Sequence, residues 1–152
     1  MAIKSTLCLL LLIMTSLPLQ AQPTRDRVLG DVVLSEHPEA VSINIAFNFP
    51  VRYLNHFPAE QGRELRIKLS PIAIGTVDRD ALMDRESYTP EMPNLAGLTE
   101  VRYEGETFSG FYLTLNFLGK AQWQVEQGGD YRSLQVRIHA PFPVAAGEVK
   151  SE

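Results

Sequence analysis

The sequence predicts an all-β domain, an internally pseudo-symmetric two-sheet β-sandwich with a signal peptide in front. Three observations lead there. Val41-Ser-Ile43-Asn-Ile45-Ala-Phe47-Asn-Phe49 alternates apolar and polar residues without a slip, and Phe111-Tyr-Leu113-Thr-Leu115-Asn-Phe117 does the same later. Each run leads into a second extended stretch and a turn carrying Glu60-Gln61-Gly62 or Glu126-Gln127-Gly128. Each unit then closes on a basic alternating strand, Leu65-Arg-Ile67-Lys-Leu69 or Leu134-Gln-Val136-Arg-Ile138. Period-two alternation puts one face on a core and the other in water. Two units with one greasy face each bury them by stacking.

The chain has 152 residues, the size of one domain. Residues 1–21 read as a secretory signal peptide. Lys4 supplies the positive start, Leu7 to Met14 the apolar stretch, and Pro18-Leu-Gln-Ala21 a small-residue cleavage site. The stretch is shorter than the about 20 apolar residues of a membrane span. The single Cys8 lies inside this leader, so the mature domain is expected to rest on its core without disulfides. At 45% hydrophobic and 21% charged residues, the composition is that of a folded domain rather than a disordered chain. The formal charge of −4 argues against nucleic acid as partner, which calls for a basic face.

Residues 22–27 read as an exposed tail, and the sandwich is expected over 28–142. Val28 to Leu34 forms a strand with a bulge or turn at Gly30-Asp31, and Glu36 to Glu39 a turn. The first half covers about 41–70. Pro50 ends its first strand because it cannot donate to a ladder. Val51 to Phe57 continues extended, with Val51, Tyr53 and Phe57 on one side and Arg52, Leu54 and His56 on the other. The connection 71–98 holds Pro71, Pro90 and Pro93 and most of the acidic excess. A helical turn is expected within Val77 to Glu86, and its acids read as solvated loop residues. The second half covers about 99–140. It opens with a short strand, Thr99 to Glu104, with Val101 and Tyr103 on one face. Gly119 allows a bend, Ala121, Trp123 and Val125 face the core, and Gln127 to Asp130 turns the chain. Residues 143–152 form a polar tail. The halves lie roughly 68 residues apart, and two copies are fewer than the about three a solenoid needs. They fit a sandwich with one unit per sheet, or with the units interleaved.

No reaction chemistry is legible. His37, His56 and His139 sit in no nucleophile elbow, and no His-Glu-x-x-His spacing occurs. His56 and His139 read as two exposed strand-end residues. No cofactor is expected, because Phe47, Phe49, Phe111, Phe117 and Trp123 fill the interior. The water-facing positions are more informative. Arg66, Lys68 and Arg137 on the returning strands, with Asn44, Asn48, Tyr112 and Asn116 on the first strands, form a candidate ligand-binding set. Such side chains suit glycans or peptide backbone through planar hydrogen bonds and ring stacking. The same alternation also suits an ordinary polar outer face.

These residues resemble the AMIN domain, a β-sandwich module of the bacterial envelope found in front of peptidoglycan amidases, secretins and exported tetratricopeptide-repeat proteins. Phe49-Pro50-Val51-Arg52-Tyr53 followed by Arg63-Glu-Leu-Arg-Ile-Lys-Leu69 looks like one AMIN half. Phe117-Leu-Gly-Lys-Ala-Gln-Trp123 followed by Arg132-Ser-Leu-Gln-Val-Arg-Ile138 looks like the other. Ser70-Pro71 and Ala140-Pro141 stand where the family carries an acid before proline. The resemblance implies a periplasmic, non-catalytic targeting module whose partners are cell-wall glycan or envelope proteins. The alternative is a protein adaptor docking through a sheet edge or through the acidic segment 78–91.

Overall fold

The computed structural model describes residues 27–72, 79–107 and 109–139. The expected leader, most of the tail 22–27 and the tail 143–152 lie outside the described residues. Within them the chain is all-β and antiparallel, with one five-residue helix. The elements are β1 (Leu29–His37), β2 (Ala40–Phe47), β3 (Val51–Phe57), β4 (Gln61–Pro71), α1 (Arg79–Met83), β5 (Arg85–Tyr88), β6 (Leu98–Thr107), β7 (Gly110–Gln127) and β8 (Ser133–His139). Hydrogen-bonded neighbours run β1-β2-β8-β7-β4-β3, with β6 also on β7 and β5 on β6. Among the described residues no helix is long and apolar enough to cross a membrane.

The two sequence units are interleaved. β2, the first strand of one unit, pairs with β8, the returning strand of the other, with Ile43 opposite Val136 and Ile45 opposite Leu134. β7, the first strand of the second unit, pairs with β4, with Leu113 opposite Ile67 and Leu115 opposite Leu65. Within the units, β3 pairs with β4, and the latter part of β7 pairs with β8. β1 flanks β2, and β6 flanks the first part of β7. The apolar residues of these exchanged pairs are fully buried.

β7 reaches both neighbourhoods because its ladder with β4 breaks. Gly62 lies opposite Ala121 and Glu64 opposite Asn116, so residues 117–120 have no partner on β4. Extra residues on one strand bend and twist it. This is the bend expected at Gly119, and it leaves Leu118 exposed. Phe117 and Trp123 stack across it with ring centroids 5.8 Å apart. Trp123 is buried, as its apolar position predicts, and its indole N–H donates to Pro58 O at 3.1 Å. Gly62 leaves room for that ring: a Cβ there would lie 3.0 Å from it. Phe111 is only half-buried, while Phe47 and Phe49 are core residues as expected.

Three local readings are corrected. In β3 the register shifts between Tyr53 and Asn55, so the alternation does not persist and Phe57 is 76% exposed. The strand of the first segment runs past Leu34 to His37, while its bulge lies at Gly30-Asp31 as expected, between Leu29 and Val32. In the connection, the helical turn is α1, but the residues after it form β5, paired with β6 from Arg85–Glu104 to Tyr88–Val101. Four residues are too few for alternation to register in sequence.

α1 and β5 together cap the β6 edge. Leu82 is buried at 1% exposure, and Tyr103 donates its hydroxyl to Leu82 O at 2.9 Å. Burial, and then the nearby Glu86 carboxylate, push the Tyr103 phenol well above its ordinary pKa. Gly105 is required here: a Cβ would sit 2.3 Å from Leu82 O, a distance no side chain tolerates. Glu86 is therefore not a solvated loop acid. Its carboxylate accepts from Val28 N at 2.5 Å and Leu29 N at 2.9 Å, and Arg27 lies 3.6 Å away. It ties the cap to the start of β1.

Candidate binding face

The water-facing positions of β4, β7 and β6 meet in rows set by the register. Lys68 lies opposite Tyr112, which lies opposite Glu104. Arg66 lies opposite Thr114, then Arg102, and Glu64 opposite Asn116, then Glu100. Alternation on each strand brings these side chains to one face.

The Arg66 guanidinium stands over the Tyr112 ring at 4.0 Å from the centroid, and the Lys68 ammonium at 5.9 Å. A cation over an aromatic face is attracted by the ring quadrupole. Contact with Ser109, and then the charges of Lys68 and Arg66, hold the Tyr112 phenol below its ordinary pKa. Glu104 lies between two guanidinium groups, Arg66 at 3.6 Å and Arg85 at 3.2 Å. Glu100 accepts from Ser87 Oγ at 3.0 Å, Asn116 Nδ2 at 3.1 Å and Arg102 at 3.0 Å. Burial raises the Glu100 carboxyl, but these donors outweigh it and hold the pKa below the ordinary value.

The structure brings together four of the seven predicted site residues, Arg66, Lys68, Tyr112 and Asn116. Asn44 and Arg137 belong to the other exchanged pair, β2 with β8, where Asn44 Oδ1 accepts from Gln135 Nε2 at 3.0 Å. Asn48 is a strand-end tie: its Nδ2 donates to Arg27 O at 2.8 Å, and its own carbonyl accepts from Arg132 at 2.6 Å. Sequence reasoning missed Glu100, Arg102 and Glu104 as members of the face. The signal was present, since they occupy the polar positions of the strand that Val101 and Tyr103 define.

The histidines are corrected as well. His56 and His139 are half-buried and line one cleft of about 620 Å³ together with Glu60, Gln124 and Glu126. His56 Nδ1 meets the Tyr53 hydroxyl at 2.6 Å and Nε2 meets Ala59 O at 2.9 Å. Both ring nitrogens of His56 are thus engaged by the protein. Nε2 of His139 is buried with no partner among the described residues. Among those residues no group of His, Cys, Asp and Glu is arranged to hold a metal ion.

Comparison with known protein families, characterised proteins and solved structures gives no match for the chain.

Proposed function

We propose that the chain is an exported, periplasmic, non-catalytic binding module that attaches to peptidoglycan through the face of β4, β7 and β6. The fold would be an AMIN-like sandwich of pseudo-equivalent halves. Support for that equivalence is the reciprocal register: the Ile43–Val136 and Leu113–Ile67 pairs exchange roles between the units.

The observation that carries the binding reading is the Arg66 guanidinium stacked on Tyr112, beside Lys68. The stack fixes a planar donor on a rigid strand pair. Guanidinium groups recognise carboxylates through paired hydrogen bonds, and tyrosine rings accept the apolar faces of sugars. Cell-wall glycopeptide offers both. The acids Glu100 and Glu104 hold the basic side chains in place. The alternative of docking through 78–91 has less support, since Glu86 is spent on Val28 and Leu29.

The test is co-sedimentation of the mature chain with purified sacculi at low salt. Wild type is expected in the pellet and Arg66→Ala in the supernatant. Wild type remaining in the supernatant contradicts the proposal.

A further inference from the structure

We propose that β1 is a homodimerisation edge, pairing antiparallel about a two-fold axis at Leu34 with β1 of a second copy of this chain. The inference is independent of wall binding.

The outward main-chain groups of β1 follow from its turn. β1 and β2 are joined through Pro38 and Glu39 alone, with His37 opposite Ala40. A pair closing a two-residue loop must itself be hydrogen-bonded, because the residues inside it are adjacent. Bonded and non-bonded pairs alternate along an antiparallel ladder. Ser35–Ser42 and Val33–Asn44 are therefore bonded pairs, and the N–H and C=O of Val32, Leu34 and Glu36 point away from β2. Among the described residues nothing pairs with them.

Native sheets blunt such edges with lysine, proline, bulges or covering segments. β6 is covered by β5, and the β3 edge is interrupted between Tyr53 and Asn55. β1 has neither lysine nor proline, and its bulge lies before Val32, leaving Val32 to His37 in unbroken register. Val33 is 52% exposed, and Leu34 is half-buried at the margin of the core.

The sequence fits a second copy in the register that sets Leu34 opposite Leu34. With Leu34 opposite Leu34, Val32 faces Glu36 and every outward group of the three residues finds a partner. Asp31 then faces His37 of the other copy on both sides of the axis, a carboxylate against an imidazole N–H donor. Directly opposed side chains lie about 5 Å apart, within hydrogen-bonding reach for these two. Sliding by two residues toward the turn sets Asp31 against Glu39, two like charges. The two Leu34 side chains meet and extend the core margin across the axis.

Sedimentation equilibrium of the mature chain tests this. A dimer with Kd below about 1 mM is expected. Glu36→Pro removes an outward N–H without touching the β2 ladder or the core, and is expected to give monomer with an unchanged circular dichroism spectrum. Glu36→Ala keeps that N–H and is expected to remain dimeric. Asp31→His opposes two imidazoles and is expected to weaken dimerisation about 2- to 30-fold, while Asp31→His with His37→Asp restores it. Wild type monomeric to its solubility limit, or a dimer that survives Glu36→Pro, overturns the proposal.

Discussion

β1 and β6 hold matching places, each flanking the first strand of a unit, yet the chain finishes them differently. The β6 side is capped by α1 and β5 and carries a dense charged network on its outer face. Among the described residues the β1 side ends in an open edge, and its outer face on β2 and β8 carries the lighter pair of Asn44 and Gln135. The strand pairing thus fixes the core while the two exteriors diverge. Function is expected where they diverge, since the exchanged core pairs serve stability in both halves alike.

The largest expected effect removes the plug under the cap. Leu82→Ala should cost about 3 kcal/mol, as full truncation of a buried leucine does. Leu34→Ala, at the half-buried margin of the open side, should cost the monomer under about 1.5 kcal/mol, because within one chain it loses less packing and leaves no closed cavity. Urea unfolding of both variants measures the contrast, and equal losses would erase it. Glu86→Ala comes next, at about 2 kcal/mol, since it leaves the Val28 and Leu29 N–H groups without their acceptor. Hydrogen exchange at those two amides should accelerate. Tyr103→Phe should cost about 1 kcal/mol by deleting one buried hydrogen bond to Leu82 O.

Smaller effects belong to the charged face. The folded-state pKa of Glu100 lies below its ordinary value. Its contribution to stability is therefore present above the unfolded pKa and is lost as pH falls through the folded one. Glu100→Gln should flatten the acid limb of the stability profile, measured by thermal melts from neutral pH down to the carboxylate range. Arg66→Ala should change stability by less than about 1 kcal/mol, as exposed ion pairs do, while abolishing sacculus binding.

Much of the fold was legible in the residues. Val41 to Phe49 and Phe111 to Phe117 announce half-buried strands because both keep strict alternation beside a core. Trp123 declares itself by sharing a face with Ala121 and Val125. The exchange of returning strands was not legible, because antiparallel partners are chosen by long-range packing that alternation does not encode. β5 escaped notice because Arg85-Glu-Ser-Tyr88 is short, and its stability comes from pairing with β6 and from Glu86 rather than from an apolar face. On the candidate face, Arg66, Lys68, Tyr112 and Asn116 were legible as outward residues of neighbouring strands. The separation of Asn44 and Arg137 from them required knowledge of which strands pair.

The most direct test is a titration of the isotope-labelled chain over residues 22–152 with soluble glycopeptide fragments of the cell wall, followed by amide chemical shifts. Shifts confined to β4, β7 and β6 around Arg66, Lys68, Tyr112 and Glu104, with Ser42, Asn44, Gln135 and Arg137 unmoved, are predicted. Shifts centred on β2 and β8, or none at all, would contradict a binding face built on the capped side.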